Sequence, residues 1–312
     1  MNKILLSIIF LSLLGIMGST FAQSGNNNVR FLPDDKIIFD RYVAYIADNK
    51  AMTTDQIIIE TAKFFLGTPY VANTLEFEPE GLVVNLRELD CTTFVESVYA
   101  LSMMVKSGDL SFDNFCNKLR WLRYREGVIN DYTDRLHYTS DWIYTNQHKG
   151  IVKNVTKSAG GQKLSLNLSI MSSNTDKFKQ LKGNQALVNK IKAKEAEVSS
   201  RDHYFLPTNG IDKDTEKSAD KSTDNSTDKS TDKSTDKNSS KIKSGDIVGF
   251  VTSIKGLDIS HLGIIYKEGE NLTFIHASSS AKKVIINTEP LSDFVRSTKG
   301  RNTGIVVVRA AF

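Results

Sequence analysis

The sequence predicts an α+β fold in which helices come first and an antiparallel sheet follows. Apolar residues recur at helical spacing in two segments before residue 110, and five short runs rich in Val, Ile and Phe follow residue 244. Between these regions, over residues 211–243, the composition changes abruptly.

The chain of 312 residues opens with MNKILLSIIFLSLLGIMGSTFAQSG, which has a lysine near its start and an apolar stretch from Ile4 to Met17. This is the pattern of a cleavable export signal over residues 1–22, and the apolar run is shorter than the roughly 20 residues a spanning helix needs. The expectation is a periplasmic protein starting near Gln23, with no membrane association once the signal is removed. No cysteine stands at the cleavage point to carry a lipid.

Residues 23–55 read as an N-terminal extension. In TDQIIIETAKFFLGTPY, residues Ile57, Ile58, Thr61, Phe64 and Phe65 share a helical face, and Gly67 followed by Pro69 ends the helix. After Asp90, CTTFVESVYALSMMVKSGD places Phe94, Val98, Leu101 and Val105 at spacings of four, three and four. Asp90 is a good N-cap, so Cys91 takes the first helical position, where open amide groups and the helix dipole favour a thiolate.

Cys116 recurs with Phe112, Phe115 and Leu119 and reads as core, which argues against a Cys91–Cys116 disulfide despite the expected oxidising compartment. Residues 120–150 have no clean period, and a lysine-rich helix is expected around Asn184–Val198. Residues 211–243 form a drifting Ser-Thr-Asp-Lys repeat with too little apolar surface to offset the entropy of ordering, and so read as a disordered insert. The runs GDIVGFVTS, SHLGIIYK, NLTFIHASS, KKVIINT and GIVVVRAAF then read as strands. Residues 56–210 and 244–312 are thus two parts of one domain, the second being too small to fold alone. The net charge of +4 is spread along the chain and gives no case for nucleic acid, though it suits a small anionic substrate.

Two histidines stand in adjacent strands, His261 and His276. If Glu268-Gly269 is a two-residue turn, Tyr266 pairs with Asn271 and His261 with His276, Cβ atoms about 4.5–5.5 Å apart. A helix-start cysteine and a histidine oriented by a second polar group make a thiolate nucleophile with its base. Taken singly, a buried inert cysteine and structural histidines are the commoner readings; taken together, catalysis leads. A metal site from Cys91, His261 and His276 is weaker, because no close ligand pair such as C-x-x-C occurs.

LDCTTFVE, GDIVGFVT, SHLGIIY and FIHAS resemble, in order and spacing, the NlpC-like papain-type cysteine hydrolases of bacterial cell walls. Thr92-Thr93 replaces the Ser-Gly usual after that nucleophile. With LGTPYVANTLE, LRYREG, RLHYTSDWI and GLDISHLGI, the chain looks like a narrower branch, N-acetylmuramoyl-L-alanine amidases acting on anhydromuropeptides.

The resemblance implies a papain-like fold, no cofactor or metal, and peptidoglycan fragments as substrate. It implies Cys91 as nucleophile, His261 as base, His276 as orienting member and Tyr70 near the oxyanion. It offers Asp90, Thr93, Arg125, Arg135, His137, Tyr138 and Trp142 as substrate-binding candidates. Asn73 stands where that branch has glycine. The same triad also serves an endopeptidase cutting after D-glutamate, or could lie dormant in a muropeptide-binding module.

Deleting the 211–243 insert is expected to leave hydrolysis of such fragments intact; a large loss of rate would show that this segment gates the groove.

Overall fold

The computed structural model describes residues 22–24, 29–47, 51–211, 241–269 and 271–312, so the expected export signal and nearly all of the Ser-Thr-Asp-Lys segment lie outside the described residues. Among the described residues no helix is long and apolar enough to cross a membrane. The fold is α+β. Four helices pack in succession: α1 (Pro33–Ala47), α2 (Thr54–Phe64), α3 (Cys91–Ser107) and α4 (Phe112–Arg123). The central one, α3, starts at Cys91 behind the Asp90 cap and ends at Gly108.

The five expected strands form: β7 (Ile247–Thr252), β8 (Ile259–Glu268), β9 (Asn271–Ser278), β10 (Lys283–Ile286) and β11 (Asn302–Ala310). Three short strands from before the Ser-Thr-Asp-Lys segment join the same sheet: β4 (Val152–Asn154), β5 (Gln162–Leu164) and β6 (His203–Pro207). The order is β10-β9-β8-β7-β11-β6-β5, with β4 also pairing with β11, and each of these pairs is antiparallel. A second, small sheet joins β1 (Ala22–Ser24), β2 (Val29–Phe31) and β3 (Leu82–Val83).

Successive residues of the sheet enter different cores. Ile264, Ile275 and Val306 pack with α1–α4, while Ile265, Phe274, Ile305 and Val307 pack with α7 (Leu291–Ser297). Both faces are buried, which explains why these strands read as unbroken apolar runs such as VVV instead of alternating with polar residues. A third cluster gathers Tyr132, Tyr138, Leu168 and Met171 against α6 (Gln185–Ser199), the expected lysine-rich helix, which follows α5 (Thr139–His148) in the chain.

Two sequence expectations change at their edges. Residues 33–47 are more than an extension, because Phe39, Tyr42 and Ile46 enter the main core and the Tyr42 hydroxyl lies 2.8 Å from Thr61 Oγ1. Ile211 and Ile242, placed within the insert, are buried together in the second cluster.

Asp35 shows how α1 reaches the site. Fully buried, it accepts from Leu32 N–H (2.8 Å), Leu86 N–H (2.8 Å) and Arg87 Nε (3.0 Å), fixing the chain that leads into Asp90 and Cys91. Asp35→Ala strands these donors and is expected to cost about 3 kcal/mol in denaturant unfolding. A loss below about 1 kcal/mol, the usual net worth of one hydrogen bond, would contradict that role.

Candidate active site

Asp90 and Thr93 build the start of α3 between them. Asp90 Oδ1 accepts from Thr93 N–H and from the Thr93 hydroxyl, both at 2.8 Å, and Thr93 Oγ1 accepts from Asp90 N–H at 2.9 Å. This reciprocal cap uses the Thr93 hydroxyl in both directions, so Thr93, a sequence candidate for holding substrate, is a helix-start residue.

Cys91 is half-buried, and the nearby backbone amide of Leu262, the neighbour of His261, favours its thiolate form. Burial, reinforced by the Asp90 carboxylate, pushes the thiol up to about 11. The expected helix-start thiolate is therefore reversed at rest. The dipole effect is worth a few tenths to 1 kcal/mol at most exposed sites, and here desolvation and the capping carboxylate oppose it.

Tyr70 reaches the site on a strap: its N–H donates to Lys282 O (2.9 Å), and it bridges to Leu89. Burial, Cys91 and Asp90 all raise its phenol, keeping it protonated. Asn73, farther along the strap, takes φ +62°, the left-handed conformation that asparagine tolerates.

The histidine hairpin differs from expectation by two residues. Glu268 pairs with Asn271 and Ile264 with Ile275, so the turn begins at Gly269, whose φ is +60°. Continuing that register sets His276 beside Gly263, diagonal to His261. A two-residue shift keeps every side chain on its face, and diagonal neighbours remain within reach of aromatic side chains. His261 Nε2 and His276 Nδ1 accordingly lie 2.6 Å apart. Gly263 makes room for this, since a Cβ there would lie 2.8 Å from the Phe274 ring and 3.4 Å from His276 Cβ.

Burial lowers both imidazoles, His261 to about 4 and His276, also facing His261, to about 3. Both are neutral near pH 7. One therefore donates and the other accepts, and His276 Nε2 is buried without a partner among the described residues.

Beside the start of α3 runs a groove of about 500 Å³, lined by Asp90, Thr92, Glu96, Arg123, Arg135 and His137 among others, together with Lys177, Phe178 and Lys179. Arg135 faces it, but its guanidinium is taken up by Glu80 (3.0 and 2.8 Å) and Glu76 (2.8 Å). Arg125 is not among the groove residues; it pairs with Asp141 at 2.6 Å, which also holds Arg201 at 2.9 Å. Tyr138 is buried and donates to Glu195 at 2.6 Å, as a structural residue. His137 lines the groove, with Nε2 2.8 Å from Tyr132 O and burial lowering it to about 3. Trp142 is buried beneath, and its Nε1 has no partner among the described residues. Among the described residues no group of three or more His, Cys, Asp or Glu stands together as metal ligands.

Sequence reasoning missed the Glu96–Arg123 pair at the groove floor, both residues fully buried and 2.6 Å apart, with Arg123 Nη1 also donating to Val83 O at 2.7 Å. The signal was present: Glu96 is the lone acid between apolar positions of α3, and such an acid demands a buried cation. Arg123→Ala strands that carboxylate and is expected to cost about 3–5 kcal/mol, whereas joint replacement with Arg123→Met and Glu96→Leu should recover most of it. A double variant no more stable than the single one, in denaturant melts, would mean that the pair is not the source of the loss.

Comparison with known proteins places the chain in a family. A family model described as AmiA-like, N-acetylmuramoyl-L-alanine amidase-like, matches residues 60–305. A solved N-acetylmuramoyl-L-alanine amidase from Bacteroides uniformis is 33% identical, with a TM-score of 0.71 over 83% of this chain and 99% of that one. A Bacteroides fragilis protein provisionally named a xylanase is also 33% identical, with a TM-score of 0.69 over 80% of this chain and 99% of that one. A Legionella pneumophila protein at 19% identity and TM-score 0.62, covering 89% of this chain and 95% of its own, shares the fold. No curated protein matches the chain. With most of its length matched by the family model and by amidase structures, the chain belongs to the N-acetylmuramoyl-L-alanine amidase-like family.

Proposed function

We propose that this amidase is an exported, papain-type cysteine hydrolase of the NlpC-like kind. It cuts the amide between the lactyl group of anhydro-N-acetylmuramic acid and L-alanine in periplasmic peptidoglycan fragments. One observation carries the reading: His261, the neighbour of the residue whose backbone amide acts on the Cys91 thiol, is hydrogen-bonded at 2.6 Å to a second, buried histidine.

At rest, thiol and imidazole are neutral. His261 takes the Cys91 proton as sulfur attacks the amide carbonyl, and the imidazolium donates through Nε2 to His276 Nδ1. His276 can accept because burial keeps it neutral. The Cys91 N–H at the open end of α3 and the protonated Tyr70 phenol suit the oxyanion. His261 then protonates the leaving L-alanyl amine, and water attacks the thioester with His261 again acting as base.

Incubating the full chain with a defined anhydromuropeptide should release free anhydro-sugar and intact peptide, read by mass spectrometry; appearance of L-alanyl-D-glutamate would instead identify an endopeptidase. Cys91→Ala should abolish the reaction, and full activity in that variant would remove the nucleophile. His276→Ala should lower kcat by roughly 10²- to 10⁴-fold at unchanged KM.

Because the folded His261 is depressed to about 4, its neutral form is complete above that value and lost as pH falls through it. The acid limb of kcat/KM is expected near pH 4, and a midpoint at 6.5 or above would show a solvated base.

A further inference from the structure

Both histidines rest against a triangle of phenylalanines. Phe250, Phe274 and Phe294 contact one another with ring centroids 5.1, 5.0 and 4.9 Å apart. Phe250 stacks on His261 at 5.9 Å, Phe274 lies 4.6 Å from His276, and Phe294 lies 6.1 Å from His276 at an interplanar angle of 69°. Phe250 and Phe274 are fully buried in β7 and β9, whereas Phe294 is only partly buried and comes from α7, outside the sheet.

α7 is tied to the strand that carries His276. Leu291 and Val295 sink into the second core cluster, and Asn287 N–H donates to Phe274 O at 2.9 Å. The buried Thr273 hydroxyl lies 2.7 Å from Asn287 O and 3.0 Å from Glu289 O, its one proton shared between them. The segment leading into α7 is thereby held against β9, and Phe294 with it.

The relay needs His276 in one tautomer. A neutral imidazole carries a single N–H. For Nδ1 to accept from His261, that proton must sit on Nε2, the atom buried without a partner among the described residues. In the other tautomer Nδ1 donates to His261 Nε2, and His261 then holds its own proton on Nδ1 and cannot take one there. An aromatic wall separates the two, because the negative face of a ring attracts an N–H and repels a lone pair. An apolar cover also keeps out the water that would serve either form.

Resting on the proposed reaction, we infer that Phe294 is a positioning residue: it covers Nε2 of His276 and holds the histidine pair in the tautomer in which His276 accepts from His261. Removing the cover wets the pair and raises both imidazoles toward the ordinary histidine range. His261 is the titratable neighbour acting on His276. Lys283, Glu289, Asp293 and Arg296 of the flanking segments are exposed, with Asp293 and Arg296 paired at 2.6 Å.

The test uses the full chain, Phe294→Ala or the milder Phe294→Leu should the first not fold, and Phe294→Tyr as the conservative variant. Nitrogen-15 NMR of the unaltered chain should place the His276 proton on Nε2; a proton on Nδ1 overturns the inference whatever the turnover. With anhydromuropeptide, loss of the ring should lower kcat at least about 10-fold at unchanged KM, a wrong tautomer in a serine-protease triad costing about 10⁴-fold. It should also move the acid limb of kcat/KM up from near pH 4, since a wetted imidazole loses its neutral form at higher pH. Phe294→Tyr keeps the ring and should restore both. A merely structural Phe294 would lower stability and leave the acid limb in place, so an unmoved limb in a folded variant overturns the inference while cleavage by the unaltered chain keeps the amidase reading. No cleavage by the unaltered chain overturns both.

Discussion

The start of α3 set against β8 is the contact on which the rest of the site depends. It joins the first part of the chain to the last: Cys91 belongs to the helix, and the backbone amide that acts on its thiol belongs to Leu262 in the sheet. Packing holds it from behind, with α3 buried along most of its length between α2, α4 and the sheet. Asp90 and Thr93 fix where the helix begins, and Asp35 pins the chain just before it. Each is a local constraint, and together they decide where one sulfur atom lies relative to one strand.

Burial then sets the chemistry of that sulfur. A solvated cysteine at a helix start would gain from the dipole, but the loss of water and the proximity of a capping carboxylate act in the opposite direction. The same burial lowers both imidazoles. The outcome is a thiol and two imidazoles that are all uncharged near pH 7, in a region of low dielectric where the hydrogen bond between the two histidines counts most.

The groove is rich in charge yet offers few free charges on its inner wall. Arg135 is committed to Glu76 and Glu80, and Arg123 to Glu96. Buried pairs of this kind contribute little net stability, but each partner would be costly alone, so they persist as closed networks that shape a wall.

The sequence by itself determined whatever depends on near neighbours. Helical period and the Asp90 cap placed α3 and Cys91 within it; Val, Ile and Phe runs placed the five long strands; and the motifs brought the two histidines into adjacent strands. The strands β4 and β5, at three residues each, are too short for a period, and Phe39, Tyr42 and Ile46 of α1 show their role only against α2 and α3. Tertiary structure alone decided the hairpin register, since two registers differing by two residues bury the same faces and only the turn at Gly269 separates them. It also decided that Arg125 and Arg135 serve carboxylates of the chain itself, because the partner of a long cation is chosen by what the fold brings within reach, and Asp141 and Glu80 lie 16 and 55 residues away.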